Sequence, residues 1–220
     1  MRTAFVTGAS RGIGAAIVTQ LQQDGCRVIT PSRSELDLAS SDSIAQYLAT
    51  IQEDVDILVN NAGINQIATL DDLELANITR TLQVNLIAAF QIAQFLSKGM
   101  QKRSYGRIVN ISSLWSILAR SGRTSYAMSK TAINGMTRSM AVEWASFNIL
   151  VNAVAPGYVL TDLTRQNNSP EELEKISQTI PARRLAAPEE IAHLVAFLCS
   201  EKNTYMTGQT ILVDGGYSCL

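Results

Sequence analysis

Thr7-Gly8-Ala9-Ser10-Arg11-Gly12-Ile13-Gly14 follows the strand-like run Thr3-Ala4-Phe5-Val6 and leads into a helical pattern from about Arg11 to Asp24, closed by Gly25. Strand, glycine turn and helix in that order let a backbone approach a pyrophosphate at the positive end of a helix. Gly8, Ser10, Arg11, Gly12, Ile13 and Gly14 are therefore candidate dinucleotide contacts. The spacing G-x-x-x-G-x-G departs from the commoner G-x-G-x-x-G, and a purely structural turn also explains such glycines. The rest of the chain has to decide between the two.

Working outward, β-branched runs alternate with longer helical patterns. Strands are expected at Thr3 to Thr7, Arg27 to Thr30, Asp56 to Asn60, Arg107 to Ile111, Leu150 to Val154 and Thr210 to Val213. Helices are expected near Ser41 to Gln52, Asn77 to Gln101, Thr124 to Phe147, Pro170 to Gln178 and Pro188 to Leu198, the last with proline in its first turn. This alternation predicts an α/β fold with a doubly wound parallel sheet in a single domain, residues 1–220. One interval is irregular. Only Pro31 to Glu35 separates the second strand from Leu36-Asp37-Leu38, too short for a parallel crossover. Either the third strand is reduced or an extended crossover lacks its helix.

Composition narrows the function classes. Of 220 residues, 46% are hydrophobic and 17% charged, which predicts a large buried core. Eighteen basic against nineteen acidic side chains give a net charge of −1, without the electrostatic footprint of a general nucleic-acid binder. Met1-Arg2 runs straight into a strand, no apolar run reaches membrane-spanning length, and a cytoplasmic protein is expected. Cys26, Cys199 and Cys219 are odd in number and widely spaced, so they are expected to be reduced; no metal site is expected, and lone His193 reads as structural.

The chemistry-bearing residues lie mid-chain. Tyr126 and Lys130 stand four apart in Tyr126-Ala127-Met128-Ser129-Lys130, on one face of a helix, with Ser113 upstream. An ammonium beside a phenol favours the ionised form and makes Tyr126 a candidate proton donor. Taken singly, each has a plain alternative: a serine ending a strand, an asparagine at Asn85 joining helix segments, a surface Tyr/Lys contact.

The chain resembles the short-chain dehydrogenase/reductase family over nearly its whole length. The matching segments are Thr7 to Gly14, Asn60-Asn61-Ala62-Gly63, Asn85, Asn110-Ile111-Ser112-Ser113, Tyr126 to Lys130, Pro156-Gly157 with Thr161, and Asp214-Gly215-Gly216. The resemblance implies a Rossmann-like domain with Asn85, Ser113, Tyr126 and Lys130 as catalytic group. Ser113 would orient a carbonyl, Tyr126 protonate it, and Lys130 lower the phenol pKa while binding the nicotinamide ribose. Asn85 would hold a water that helps carry protons to the lysine. It also implies that Asp37, Leu38, Asn61, Ala62 and Gly63 line the adenine and central cofactor region. Pro156, Gly157, Val159 and Thr161 would run beside the nicotinamide.

Arg33, with no acid beside it at the end of the second strand, and Arg11 in the turn favour NADP(H). Glu35 is the competing feature, because the short connection would allow it to reach a ribose and favour NAD(H). Gln66, Leu114, Trp115 and Tyr158 flank the site, and the polar stretch Asp162 to Arg184 matches a substrate-covering segment or a plain surface loop. Ile180-Pro181-Ala182-Arg183-Arg184-Leu185, followed by Pro188-Glu189-Glu190-Ile191-Ala192, is similar to bacterial 3-oxoacyl-acyl-carrier-protein reductases and to reductases of other alcohols and sugars. The expected substrate is a small carbonyl compound or alcohol. For one presented on an acyl-carrier protein, Lys102, Arg103, Arg183 and Arg184 are docking candidates or merely solvated charges. The resemblance further implies a homo-oligomer, dimer or tetramer, packed through the two long helices.

Overall fold

The computed structural model describes residues 1–166 and 168–220. Among the described residues, six parallel strands form one sheet: β1 (Thr3–Val6), β2 (Arg27–Ile29), β3 (Ile57–Asn60), β4 (Gly106–Ile111), β5 (Ile149–Pro156) and β6 (Thr210–Val213). Their order is β2-β1-β3-β4-β5-β6. The chain leaves β1 in one direction to reach β2 and returns past it to β3, so a crevice opens at the carboxyl ends of β1 and β3, where such sheets bind ligands.

Period-two alternation sorts the side chains onto two cores. Ala4 and Val6 face one side with Ile17 and Leu21 of α1 (Gly12–Gln23) and Ile191 and Val195 of α8 (Pro188–Cys199). Phe5 faces the other, against Ile44 and Leu48 of α2 (Ser41–Ala49), Ile92 and Met100 of α4 (Ala88–Arg103) and Met140 of α5 (Thr124–Trp144). Helices on both faces leave the central strands buried, which is why β3, β4 and β5 read as unbroken runs. No helix among the described residues is long and apolar enough to cross a membrane.

Neither reading of the short connection holds. Leu36-Asp37-Leu38 forms no strand, β2 is the sheet edge, and its crossover to β3 carries α2 in the ordinary way. The reason lies in the side chains. Leu36 is buried and Leu38 partly buried in the Phe5 core. The Asp37 amide donates to Ser43 Oγ at the start of α2, and its carboxylate accepts from Ala39. The stretch is thus spent in anchoring α2, not in pairing with β2.

The long helix expected from Asn77 to Gln101 is three pieces: α3 (Leu75–Leu82), a π turn (Gln83–Ile87) and α4. Asn85 sits inside the π turn. The polar stretch after Thr161 holds α6 (Asp162–Gln166) and α7 (Pro170–Thr179), the latter opened by a Ser169/Glu172 capping box; Asn167 lies outside the described residues.

Candidate active site

The glycine turn is built by close approach. Gly8 adopts a positive φ, and a Cβ there would stand 2.8 Å from Ala62 Cα. A Cβ on Gly14 would lie 2.1 Å from the Gly8 carbonyl oxygen, so no side chain fits. Asn61 stitches the turn to β3 by donating from Nδ2 to the carbonyls of Thr7 and Gly8, at 3.0 and 2.9 Å. Thr7 Oγ1 accepts the amides of Asn61 and Ala62. Helix α1 then begins with no side-chain cap and no acidic residue in its first turn, leaving its amides for an anion. On the far side Thr161 closes over the turn, its Cγ2 3.2 Å from where a Gly12 Cβ would be. A glycine cradle with uncapped amides fits the pyrophosphate of a nicotinamide dinucleotide.

Ser10, Arg11 and Arg33 are exposed around this cradle, and neither arginine has an ion-pair partner among the described residues. Glu35 is engaged elsewhere: the Ser32 side chain and then the Ser32 amide, which its carboxylate accepts at 2.8 Å, hold its pKa below the usual carboxylate range. Ile13 packs its side chain against the core, as does Val159, which is buried. Pro156 ends β5, and Gly157 packs flush on Asp214, where a Cβ would fall 2.8 Å from its Cα.

The four expected catalytic residues converge. Ser113 leaves the end of β4, while Tyr126 and Lys130 come from the first turns of α5, and all but Tyr126 are buried together with Asn85. Asn85 Oδ1 accepts the Ile64 amide at 2.8 Å, and its Nδ2 donates to the Ile64 carbonyl and to Ser129 Oγ. Ser129 in turn donates to the Tyr126 carbonyl. The π turn therefore ties the segment after Gly63 to the Tyr/Lys helix, a use consistent with the frequency of π turns at functional sites. Below, Ser112 donates to Asn134 Oδ1 at 2.7 Å and to the Lys130 carbonyl. The sequence motifs contain Thr7, Ser112 and Ser129 without giving them a role, and Asn134 lies outside every motif. The last two lie on the Tyr126 helix, and helical spacing alone would have found them.

The electrostatics differ from the expected Tyr/Lys partnership. Burial pushes the Tyr126 phenol above its ordinary value, and the opposing influences are the Ser113 hydroxyl and then the Arg123 charge. Lys130 Nζ stands 5.6 Å from the Tyr126 ring centroid and donates instead to the Ile111 carbonyl at 2.6 Å. Burial brings its pKa down to about 8, so it remains mostly protonated at neutral pH.

Sheet, cradle and converging Ser, Tyr and Lys together define a nucleotide-dependent oxidoreductase. The sequence profile described as enoyl-(acyl carrier protein) reductase matches residues 31–218. The chain is 37% identical to the 3-oxoacyl-[acyl-carrier-protein] reductase FabG of Vibrio cholerae, covering 98% of this chain and 96% of that one. A solved structure from Beutenbergia cavernae, assigned as an NAD(P) dependent gluconate 5-dehydrogenase with bound NADP, is 35% identical with TM-score 0.93, covering 100% and 97%. A 4-hydroxyisoleucine dehydrogenase complexed with NADH is 26% identical with TM-score 0.95 over 100% of both chains. The protein belongs to the short-chain dehydrogenase/reductase family and is an NAD(P)-dependent oxidoreductase. The Vibrio alignment spans 236 positions against a chain of 220, so that relative carries residues where this one has none.

The proposed carrier-protein cations are largely spent within the chain. Arg103 pairs with Asp54 and Asp56 and donates to the Val55 carbonyl. Arg184 binds Glu190 through both terminal nitrogens, and Arg183 donates to Gln178.

Proposed function

We propose that this protein uses NADP(H) to interconvert a ketone or aldehyde with its alcohol in the cytoplasm, a 3-oxoacyl thioester being the leading substrate. The observation that carries the reading is the meeting of Ser113, Tyr126 and Lys130 above the Gly8–Gly14 cradle. When bound, the reduced nicotinamide supplies a hydride, and negative charge then develops on the carbonyl oxygen. Ser113 donates a hydrogen bond to that oxygen and Tyr126 gives it a proton. Lys130 keeps a buried positive charge at the end of β4, and Asn85 holds the surrounding backbone in place.

NADP(H) is favoured over NAD(H) because Arg33 and Arg11 are unpaired and exposed at the rim, while Glu35 is turned into its own loop. An arginine fork suits a ribose phosphate. The Beutenbergia neighbour holds NADP, and the hydroxyisoleucine dehydrogenase holds NADH. The thioester rests on the Vibrio relative's activity; the engaged state of Arg103 and Arg184 leaves carrier docking to other surfaces or to rearrangement of these pairs. The three free cysteines suit a reducing compartment. Phe90 and Phe95 on α4 and Met128 and Val142 on α5 are exposed apolar side chains, which support assembly into a dimer or tetramer through these helices.

The test is NADPH oxidation, with NADH alongside, across ketones, aldehydes and 3-oxoacyl thioesters, together with the reverse reaction on matched alcohols. NADPH-dependent turnover of at least one carbonyl class is expected. Tight NADPH binding with no turnover in either direction would instead favour a non-catalytic regulator.

A further inference from the structure

Trp115, whose amide donates to Ser113 Oγ at 3.2 Å, lines an open cavity of about 480 Å³. Trp115, Tyr158 and Tyr217 meet there edge to face, with centroids 6.0, 6.5 and 5.6 Å apart. Arg120 lies at this aromatic wall, 5.8 Å from the Trp115 centroid, and donates to the Tyr158 hydroxyl at 2.6 Å. Lys175 of α7 lines the same cavity. Among the described residues no carboxylate lines it.

Arg123 stands one turn before Tyr126, half-buried, and its charge acts on both the Tyr126 and Tyr158 phenols. Burial, and then the like charge of Arg120, lower its own pKa. Among the described residues Arg120, Arg123 and Lys175 form no ion pair. Arg123 is thus a half-buried cation beside a second guanidinium, and an anion brought from outside would offset both influences. Tyr158 takes one of the five donors of Arg120 and leaves the rest of the fork free. Such a fork matches a carboxylate or phosphate.

We propose that Arg120 and Lys175, which line one cavity, with Arg123 one backbone turn from Arg120, receive an anionic group of the substrate, which is therefore a carbonyl or hydroxy compound bearing a carboxylate or phosphate. The proposal rests on the oxidoreductase reading only for the word substrate; the anion subsite is testable by binding alone. Two matched pairs probe it. One is 4-oxopentanoate and its methyl ester; the other is 3-oxobutanoyl 4′-phosphopantetheine and 3-oxobutanoyl pantetheine.

Calorimetric binding to the NADP+-loaded protein, where no reduction intervenes, is expected to favour the charged member of at least one pair by about tenfold or more, as for a hydrogen bond to a charged group. The pair that responds distinguishes carboxylate from phosphate. Combining Arg120→Gln with Arg123→Gln should collapse the ratio, and Arg123→Lys should restore part of it; melting curves confirm that the variants fold. Equal binding within both pairs, or a preference that survives the double substitution, overturns the proposal. A charged-ligand preference without NADPH-dependent turnover supports the subsite and counts against the oxidoreductase reading.

Discussion

The floor and the rim of the cleft are built on opposite terms. On the floor, Asn85, Ser112, Ser129 and Lys130 are buried, and each makes hydrogen bonds within the chain, most of them to backbone. On the rim, Arg11, Arg33, Arg120 and Arg123 have no carboxylate partner among the described residues. Buried polar groups must be satisfied by the protein itself, so the floor is set before any ligand arrives. Exposed or half-buried cations can wait for charge brought from outside. The floor fixes the reaction, and the rim chooses what undergoes it.

The largest effect expected is on the floor. Gly14→Ala drives a methyl group into the Gly8 carbonyl at 2.1 Å and Asn61 Nδ2 at 2.5 Å. Overpacking against backbone costs on the order of 3 kcal/mol or more. NADPH titration should show binding lost and melting should show a less stable fold; parental binding would mean that the cradle is not the dinucleotide seat.

Lys130 gives a pH signature of nearly that size. Its folded pKa of about 8 lies below the ordinary lysine value of 10.5. Below both values each state is protonated and the fold carries the full burial penalty. As pH rises from about 8 toward 10.5 the folded state gives up its proton first, so this group's contribution to stability grows, by about 3 kcal/mol in all. Melting curves from pH 7 to 10 should show a smaller gain with Lys130→Met than with the parent, once other titrations cancel in the difference. Identical profiles would remove the buried charge from the account.

The next effect is on the rim. Arg33→Ala should raise the KM for NADPH about tenfold and change that for NADH little, the scale of one hydrogen bond to a charged group. Parallel changes with both cofactors would separate Arg33 from any ribose phosphate. Smallest of all is Arg184→Ala. The bond to Arg184 is the leading reason Glu190 is held down to about 2, yet the pair stands in open solvent, where screening and side-chain entropy return little stability. The melting temperature should hardly move, and a large drop would show that rim charges carry structural weight.

Much of the floor was legible because each of its parts is a local signal. Glycines after a strand, and a tyrosine and lysine one helical turn apart, keep their meaning without knowledge of the rest of the chain. What failed needed tertiary information. Leu36-Asp37-Leu38 has the pattern of a short strand, but core burial of Leu36 and the Asp37 amide's bond to Ser43 decide its conformation, and both depend on where α2 lies. Helical spacing put Lys130 near Tyr126 without revealing that the ammonium would turn to the Ile111 carbonyl and leave the phenol to burial, Ser113 and Arg123. The cavity joins Trp115, Tyr158, Lys175 and Tyr217 from distant segments, so no single stretch announced it.

The most direct test of the central claim is single-turnover reduction by Tyr126→Phe, with NADPH affinity measured on the same protein. The account predicts an NADPH dissociation constant close to the parent's and a loss of turnover of about a hundredfold or more, the range for removal of a general acid. Turnover matching the parent's, with the cofactor bound equally well, would contradict it.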